Sequence, residues 1–106
     1  HGWPGSPLEF LGALSVLMEK YTPETLPYHV IVPSLPGYAY SSGPPLDQNF
    51  DTEGIARVAD KLMIGLGFEK GYITQGGDIG SFVSRVLAVT AKSCLAAHSE
   101  WFLFLS

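Results

Sequence analysis

The sequence predicts an α/β protein, in which helices cover a parallel β-sheet. Segments of helical periodicity alternate with short apolar segments, these apolar segments are uninterrupted, and one of them runs into a glycine-rich turn that opens a helix. Uninterrupted apolar strands between helices are typical of parallel sheets with helices on their faces. At 106 residues, the chain suits one domain, residues 1–106.

The first helix is predicted to begin at Ser6. Ser6 is a capping residue, Pro7 suits the first helical position, and Glu9 stands where a capping box places its glutamate. The helix is expected to end before Thr22-Pro23. Its apolar residues recur at helical spacing and form one stripe, composed of Phe10, Leu11, Leu14, Leu17, Met18 and Tyr21.

The middle of the chain is predicted to hold a strand, a loop and a second helix. His29–Val32 is a β-branched run near prolines and fits a strand buried on both faces. Residues 33–50 are rich in Gly, Pro and Ser, which indicates a loop. Asp51 or Thr52 can cap the second helix, which ends at Gly67. Its apolar positions are Ile55, Val58, Ala59, Leu62, Met63 and Leu66.

The last part of the chain is predicted to form a strand, a tight turn and a third helix. Gly71–Gln75 fits the strand and Gly76–Ser81 the turn, and a further strand is expected around Cys94–His98. The inner face of the third helix is formed by Phe82, Val83, Val86 and Leu87. A sheet of so few strands has uncovered edges and faces. We therefore expect an incomplete sheet.

The composition excludes some classes of protein. Six basic and ten acidic residues give a net charge of −4 without a basic cluster, which argues against nucleic-acid binding. Cys94 is the only cysteine, so no internal disulfide can form and a reducing compartment such as the cytoplasm is favoured. No apolar run, including Trp101–Leu105, is long enough for a membrane span, and no targeting signal is readable in the sequence from His1 onwards.

The chain is also unusually apolar for its size. Hydrophobic residues make up 46% of it and charged residues 15%. A short chain has little interior in which to bury so much apolar surface. We therefore expect a piece of a larger protein.

Asp78 lies at the centre of the glycine-rich turn, where open α/β folds bind ligands. Gly76 and Gly80 flank it at two-residue spacing, which lets a sharp turn from strand to helix close without side-chain clashes. A carboxylate held there can attack an electrophilic carbon and form an ester. The N–H of Ile79 would begin the helix and point at developing negative charge.

Two alternatives account for the same turn. Asp78 by itself also fits a plain helix N-cap. The turn also partly matches a dinucleotide-binding motif through Gly77 and Gly80, but the first glycine is replaced by Gln75 and the Asp78 charge would lie beside a pyrophosphate.

The segment His1-Gly2-Trp3-Pro4-Gly5-Ser6 predicts a second tight turn, just before the first helix. Such a turn can present a backbone N–H to a pocket, and Trp3 is the candidate. The simpler alternative is an ordinary helix entry capped by Ser6, and the two roles are compatible.

Taken together, the motifs resemble the epoxide hydrolases of the α/β-hydrolase fold. They are His-Gly-x-Pro at His1–Pro4, then Pro-Ser-Leu-Pro-Gly-Tyr at Pro33–Tyr38 with Ser41-Ser42 following, then Gly-Gly-Asp-Ile-Gly-Ser at Gly76–Ser81. The microsomal-type and fungal branch is the more similar one, since it shares the Thr-Pro-Glu block near Pro23 and the Leu-Gly-Phe block near Gly67. The resemblance runs from His1 to about His98.

This resemblance implies specific roles. Asp78 would be the nucleophile that opens the epoxide, and the backbone N–H groups of Trp3 and Ile79 would form the oxyanion hole. His1, Gly2, Pro4, Gly76, Gly77 and Gly80 would support these motifs. The family uses no metal or organic cofactor, so the expected partners are an epoxide and water. Trp3-Pro4 is expected to be a cis peptide, as is frequent in this turn of the family.

The sequence also departs from the family. The histidine base with its orienting carboxylate, and the two tyrosines of the cap, have no counterparts here. His29 and His98 do not fit the base, and every tyrosine precedes the turn, at Tyr21, Tyr28, Tyr38, Tyr40 and Tyr72. We therefore expect a partial hydrolase domain, incomplete at both ends and inactive by itself.

Alternatives within and beyond this family stay open. A haloalkane dehalogenase-like or other α/β hydrolase could use the same aspartate, and a truncated, non-catalytic product could bind other subunits through its exposed sheet. The sequence leaves open self-association of the parent enzyme, its localisation and any membrane association.

Overall fold

The computed structural model describes residues 1–47 and 50–100. Their elements are a 3₁₀ turn at Pro7–Phe10, helix α1 at Leu11–Lys20, helix α2 at Thr52–Gly65, strand β1 at Tyr72–Gly76, helix α3 at Ile79–Thr90 and strand β2 at Cys94–Ser99. The predicted α/β class is confirmed by this order of helices and strands. The apolar run Trp101–Leu105 lies outside the described residues.

The first predicted helix is present but begins differently. Ser6 caps it as expected, since its hydroxyl accepts a hydrogen bond from the Leu8 N–H at 3.2 Å. Pro7 opens a 3₁₀ turn, and α1 starts only after it. The predicted return bond from Glu9 to the cap is wrong in the described residues, because the Glu9 carboxylate lies against Gly5 instead.

The apolar stripe of α1 is only partly covered, since Leu11 and Met18 are exposed while its other members, Phe10, Leu14, Leu17 and Tyr21, are half-buried. No residue of α1 is buried, and Met18 is 80% exposed. A helix buries its apolar face only where another element packs on it. In the described residues, the main neighbour of α1 is the 3₁₀ turn. The stripe is therefore a surface that further protein can cover.

The predicted strand at His29–Val32 is wrong for the described residues. This segment has no strand structure, and Val30 and Ile31 are exposed by 43% and 38%. A strand exists only through hydrogen bonds to a neighbouring strand. The described sheet contains β1 and β2 alone, and neither pairs with this segment.

The second helix follows its prediction closely. The Asp51 carboxylate accepts a hydrogen bond of 2.9 Å from the Gly54 N–H and thereby caps α2. After α2, Gly67 adopts a φ of +97°, a conformation that favours glycine. The cap and the terminal glycine thus fix both ends of α2.

The sheet and two helices form the core. β1 and β2 run parallel and are joined by α3, so the predicted strand at Cys94–His98 is confirmed. The core cluster comprises Ala56, Tyr72, Val83, Leu87 and Cys94. Ile73 and Leu95, the next residues along each strand, are exposed by 66% and 69%. Because successive side chains point to opposite faces, helices cover one face of this sheet and leave the other open.

Cys94 carries a free thiol within this core. Burial raises the pKa of the thiol above its ordinary value. The thiolate is the reactive form of cysteine, so the buried position makes Cys94 poorly reactive.

Tyr72 gives the core a titrating group. Its hydroxyl donates a hydrogen bond of 2.6 Å to Asp60 Oδ1. Burial first, and then this bond and the Asp60 charge, raise the pKa of Tyr72 well above its ordinary value of 10.0. Because the folded-state pKa lies above the unfolded one, the stabilisation is complete below pH 10.0 and is lost as the pH rises further.

We therefore expect the free energy of unfolding to fall as the pH rises above 10.0, and to fall less steeply in Tyr72→Phe. Urea unfolding at several alkaline pH values measures both slopes. Tyr28→Phe is the matched control, because Tyr28 is 71% exposed. Equal slopes for the original protein and Tyr72→Phe would contradict the expectation.

No helix among residues 1–47 and 50–100 has the length and apolar character needed to cross a membrane.

Candidate active site

The site begins with a strained turn between β1 and α3. β1 ends at Gly76, and Asp78 adopts φ +52° and ψ −123° immediately before α3 starts at Ile79. Positive φ is uncommon for a residue with a side chain and costs about 1–3 kcal/mol. Such strain persists only where surrounding structure enforces it, which marks Asp78 as a candidate functional residue.

Two glycines allow the strand and helix to approach each other. A Cβ on Gly76 would collide with the carbonyl group of Gly80, and a Cβ on Gly80 would lie 2.8 Å from the His1 carbonyl oxygen. The predicted spacing of small residues around Asp78 therefore has a direct steric cause. Gly77, between Gly76 and Asp78, is less confined, since the nearest atom to its Cβ position is Glu100 Oε2 at 3.4 Å.

The Asp78 carboxylate points away from its own helix. Asp78 occupies the N-cap position of α3, but its side chain makes no capping hydrogen bond, so the alternative that it serves only as a helix cap is wrong. Its Oδ2 instead accepts a hydrogen bond of 2.8 Å from the Trp3 N–H. The start of α3 is secured by Ser81, whose N–H and hydroxyl donate to the Asp78 carbonyl oxygen at 3.0 and 2.6 Å.

The turn at His1–Gly5 supplies the opposite wall of the site. It closes with a hydrogen bond of 2.8 Å from the Gly5 N–H to the Gly2 carbonyl, and the Trp3-Pro4 peptide is cis, as expected. A Cβ on Gly2 would lie 2.6 Å from the Asp78 Cβ. Only glycine at this position lets the turn approach Asp78 so closely.

The structure brings the predicted site residues together. Trp3 N–H contacts the Asp78 carboxylate, the Gly80 N–H donates to the His1 carbonyl at 3.1 Å, and Ile79 occupies the first position of α3. The first N–H groups of a helix have no acceptor within the helix. The Trp3 N–H thus contacts the Asp78 carboxylate directly, and the Ile79 N–H follows Asp78 at the start of α3.

The contact between His1 and Leu35 was not predicted. The His1 ring accepts a hydrogen bond from the Leu35 N–H at 2.9 Å. Nothing in the spacing of residues that lie 34 positions apart indicates this bond. The hydrogen bond of 3.2 Å from the Glu100 N–H to the Gly76 carbonyl was not predicted either. Its position just after β2 could have indicated it, because the carboxyl ends of parallel strands lie at the same edge of a sheet.

The other histidines lie elsewhere in the fold. His29 packs against Phe68, with ring centroids 5.4 Å apart. His98 lies in β2 opposite Gln75 and is exposed, so the expected strand position is confirmed.

Two further features bear on ligands. A cavity of about 660 Å³ lies between the proline-rich loop and α2, with Leu35 and Phe50 in its lining, and Asp78 does not line it. Within the described part of the chain, no three His, Cys, Asp or Glu side chains are arranged to hold a metal ion.

A parallel sheet with helices packed on it and an acidic residue on a strained strand-to-helix turn define a protein of the α/β class with an elbow-type site. The α/β hydrolase fold family matches residues 1–99. The chain belongs to the α/β hydrolase fold family. This membership favours the hydrolase interpretation of the turn over the dinucleotide-binding one.

Three similar proteins indicate which members of this family the chain resembles. The structure of the Aspergillus niger epoxide hydrolase matches with a TM-score of 0.94 and 59% identity, over 96% of this chain and 26% of that one. A Dothistroma septosporum relative that carries an epoxide hydrolase name is 52% identical over 97% of this chain and 24% of its own length. Juvenile hormone epoxide hydrolase from the silkworm Bombyx mori has a TM-score of 0.79 and 33% identity, with 93% and 26% covered.

The predicted resemblance to epoxide hydrolases is confirmed by these relatives, and the α/β hydrolase fold is present in part. This chain spans 24% of the length of the Dothistroma septosporum relative.

Proposed function

We propose that this chain, as residues 1–106 of a partial hydrolase domain, carries the nucleophile and oxyanion hole of an epoxide hydrolase. The supporting observation is the Asp78 carboxylate, held at positive φ with the Trp3 N–H 2.8 Å from its Oδ2. A carboxylate freed from helix capping and faced by a backbone donor suits covalent catalysis. The substrates are a small-molecule epoxide and water.

In the first step, an Asp78 carboxylate oxygen attacks a ring carbon of the epoxide. A carbon–oxygen ester bond forms as the ring carbon–oxygen bond breaks, and the released oxygen takes a proton from one of the two tyrosines that the family resemblance implies elsewhere in the whole protein. The hydrogen bond from Trp3 to Oδ2 holds the carboxylate in one orientation, so that the other oxygen, Oδ1, is left to attack. Fixing a nucleophile in this way replaces an encounter in solution by an oriented approach.

In the second step, water attacks the carbonyl carbon of the ester. Negative charge then develops on the former carboxylate oxygen, and the N–H groups of Trp3 and Ile79 stabilise it. Collapse of this tetrahedral species releases the vicinal diol and restores the Asp78 carboxylate. The family resemblance implies that a histidine base, its orienting acid and two tyrosines act from elsewhere in the whole protein, so we expect this chain by itself not to turn over.

The leading alternative is dehalogenation, which uses the same aspartyl ester. It differs in the first step, since a halide leaves instead of a ring oxygen. The relatives named epoxide hydrolases favour epoxide opening. A non-catalytic product that binds other subunits through the open sheet face is the alternative outside enzymology.

Oxygen labelling tests the ester mechanism. We use a host chimera, in which residues 1–99 of this chain replace the matching segment of the Aspergillus niger epoxide hydrolase. Turned over repeatedly with epoxide in heavy-oxygen water, Asp78 should gain heavy oxygen, as measured by peptide mass spectrometry. In a single turnover the diol should stay unlabelled, because its new oxygen comes from Asp78.

Two results would overturn the proposal. Heavy oxygen in the diol at the first turnover, with none in Asp78, would mean direct attack by water. A folded host chimera that releases halide from a chloroalkane and leaves epoxides intact would favour the dehalogenase.

A further inference from the structure

A buried histidine ring lies behind the turn that faces Asp78. His1 is 7% exposed, and a polar side chain buried to this extent needs hydrogen-bond partners. Its Nε2 accepts from the Leu35 N–H at 2.9 Å, and its Nδ1 lies 3.3 Å from the Gly2 carbonyl oxygen. The Tyr38 ring meets it edge to face, with centroids 5.1 Å apart. The ring is therefore held from three directions.

The bond from Leu35 fixes the protonation of this ring. A backbone N–H can only donate, so Nε2 must present a lone pair, and a neutral imidazole then carries its proton on Nδ1. This Nδ1–H donates to the Gly2 carbonyl. The neutral ring thus accepts a hydrogen bond from Leu35 and donates one to Gly2, in the turn that contains Trp3.

The backbone of His1 reaches the other side of the site. Its carbonyl oxygen accepts a hydrogen bond of 3.1 Å from the Gly80 N–H, at the start of α3. Two residues further on, the Trp3 N–H donates to Asp78 Oδ2. The direction of the Trp3 N–H therefore depends on two anchors of His1, the ring at Leu35 and the carbonyl at Gly80.

We propose that His1 is a positioning residue, whose neutral ring ties the turn to Leu35 and thereby aims the Trp3 N–H at Asp78. The role rests on the proposed function, in which Asp78 is the nucleophile and Trp3 an oxyanion donor. A turn freed from Leu35 holds that donor less well. Ester hydrolysis, the step that uses the oxyanion hole, then slows more than ester formation.

Two substitutions in the host chimera test whether the hydrogen-bond acceptor at Nε2 matters, or only a side chain that fills the same space. In His1→Gln, the side-chain amide reaches the place of Nε2 and can accept from Leu35. In His1→Asn, the same amide is one methylene shorter and cannot. We expect kcat to fall about 10-fold or more in His1→Asn, part of the loss seen when an oxyanion donor is removed, and to stay within about threefold in His1→Gln.

The kinetics should also change in kind. Because ester hydrolysis becomes slower than ester formation, KM should fall together with kcat in His1→Asn, and rapid quenching with mass spectrometry should find more enzyme trapped as the ester. A purely structural role would lower the amount of folded enzyme and leave KM and the ester fraction unchanged. That result, or equal losses in the two variants, would overturn the proposal.

Amide hydrogen exchange at Leu35 gives a readout independent of activity. We expect the Leu35 N–H to be protected in the host chimera and in His1→Gln, and to exchange faster in His1→Asn. If exchange follows this pattern while the unsubstituted host chimera forms no ester on Asp78, the proposed function fails and the anchoring by His1 stands. If Asp78 is labelled while Leu35 exchanges equally in all three proteins, the positioning role fails and the proposed function stands.

Discussion

Asp78→Ala in the host chimera is expected to abolish epoxide hydrolysis, lowering kcat at least about 10⁴-fold, as the loss of a covalent nucleophile does in other hydrolases. The substitution removes the carboxylate that forms the ester in the proposed mechanism. The start of α3 stays in place, because Ser81 bonds to the carbonyl of residue 78 and not to its side chain. Steady-state assays with an epoxide, together with a urea unfolding curve, measure activity and stability.

Asp51→Ala is the matched control for this loss. Asp51 is also an aspartate before a helix, but its carboxylate caps α2. Its removal should lower the free energy of unfolding by about 1 kcal/mol and leave kcat unchanged. If Asp78→Ala instead resembled Asp51→Ala, with lost stability and retained activity, Asp78 would be a structural residue.

Gly76→Ala is expected to disrupt the turn itself. The new methyl group would collide with the Gly80 carbonyl and lie 2.8 Å from Ser84 Oγ. Backbone atoms cannot move aside as a flexible side chain does, so β1 and α3 must separate. We expect a loss of about 3 kcal/mol or more in the free energy of unfolding, at the upper end for overpacked cores, and a loss of activity with it.

The same chemical change at an open position gives the control. Gly12 lies in α1, and among the described residues no atom beyond its chain neighbours and its own helix backbone lies within 4 Å of its Cβ position. Gly12→Ala should therefore stabilise the helix by about 0.5–1 kcal/mol. Urea unfolding of both variants should give changes of opposite sign, and a Gly76→Ala protein as stable as the original would show that the crossing of strand and helix is looser than described.

The turn around Asp78, between β1 and α3, was predictable because its cause is local. Two glycines around Asp78 are needed by a turn that spans only a few residues, and the apolar periodicity on both sides indicated the strand and the helix. The cap at Asp51 was predictable for the same reason, since its partner lies three residues away. Sequence spacing reports such short-range geometry directly.

The failures involve elements whose partners lie far along or outside the described chain. His29–Val32 has the composition of a strand, but composition cannot supply the neighbour that makes one. The stripe of α1 has the right period, yet the described residues cover it only in part, and none of the α1 residues is fully buried. In both cases the local pattern was correct and the tertiary partner was missing.

The approach of Trp3 to Asp78 lay between these extremes. Periodicity cannot bring together two residues 75 positions apart, and only the resemblance to a family indicated that they would meet. The anchoring of the His1 ring by Leu35 had no such guide, because it depends on how the proline-rich segment folds back over the turn.

The 75-residue separation between Trp3 and Asp78 also implies an order of assembly. The β1–α3–β2 unit is built from contacts within a short stretch, and its pieces can meet soon after the chain collapses. Bringing the turn at His1–Gly5 to Asp78 closes a far longer loop, and the entropic cost of closing a loop grows with the logarithm of its length. We therefore expect the contact between Trp3 and Asp78 to form late when the chain folds and to be lost early when the fold loosens.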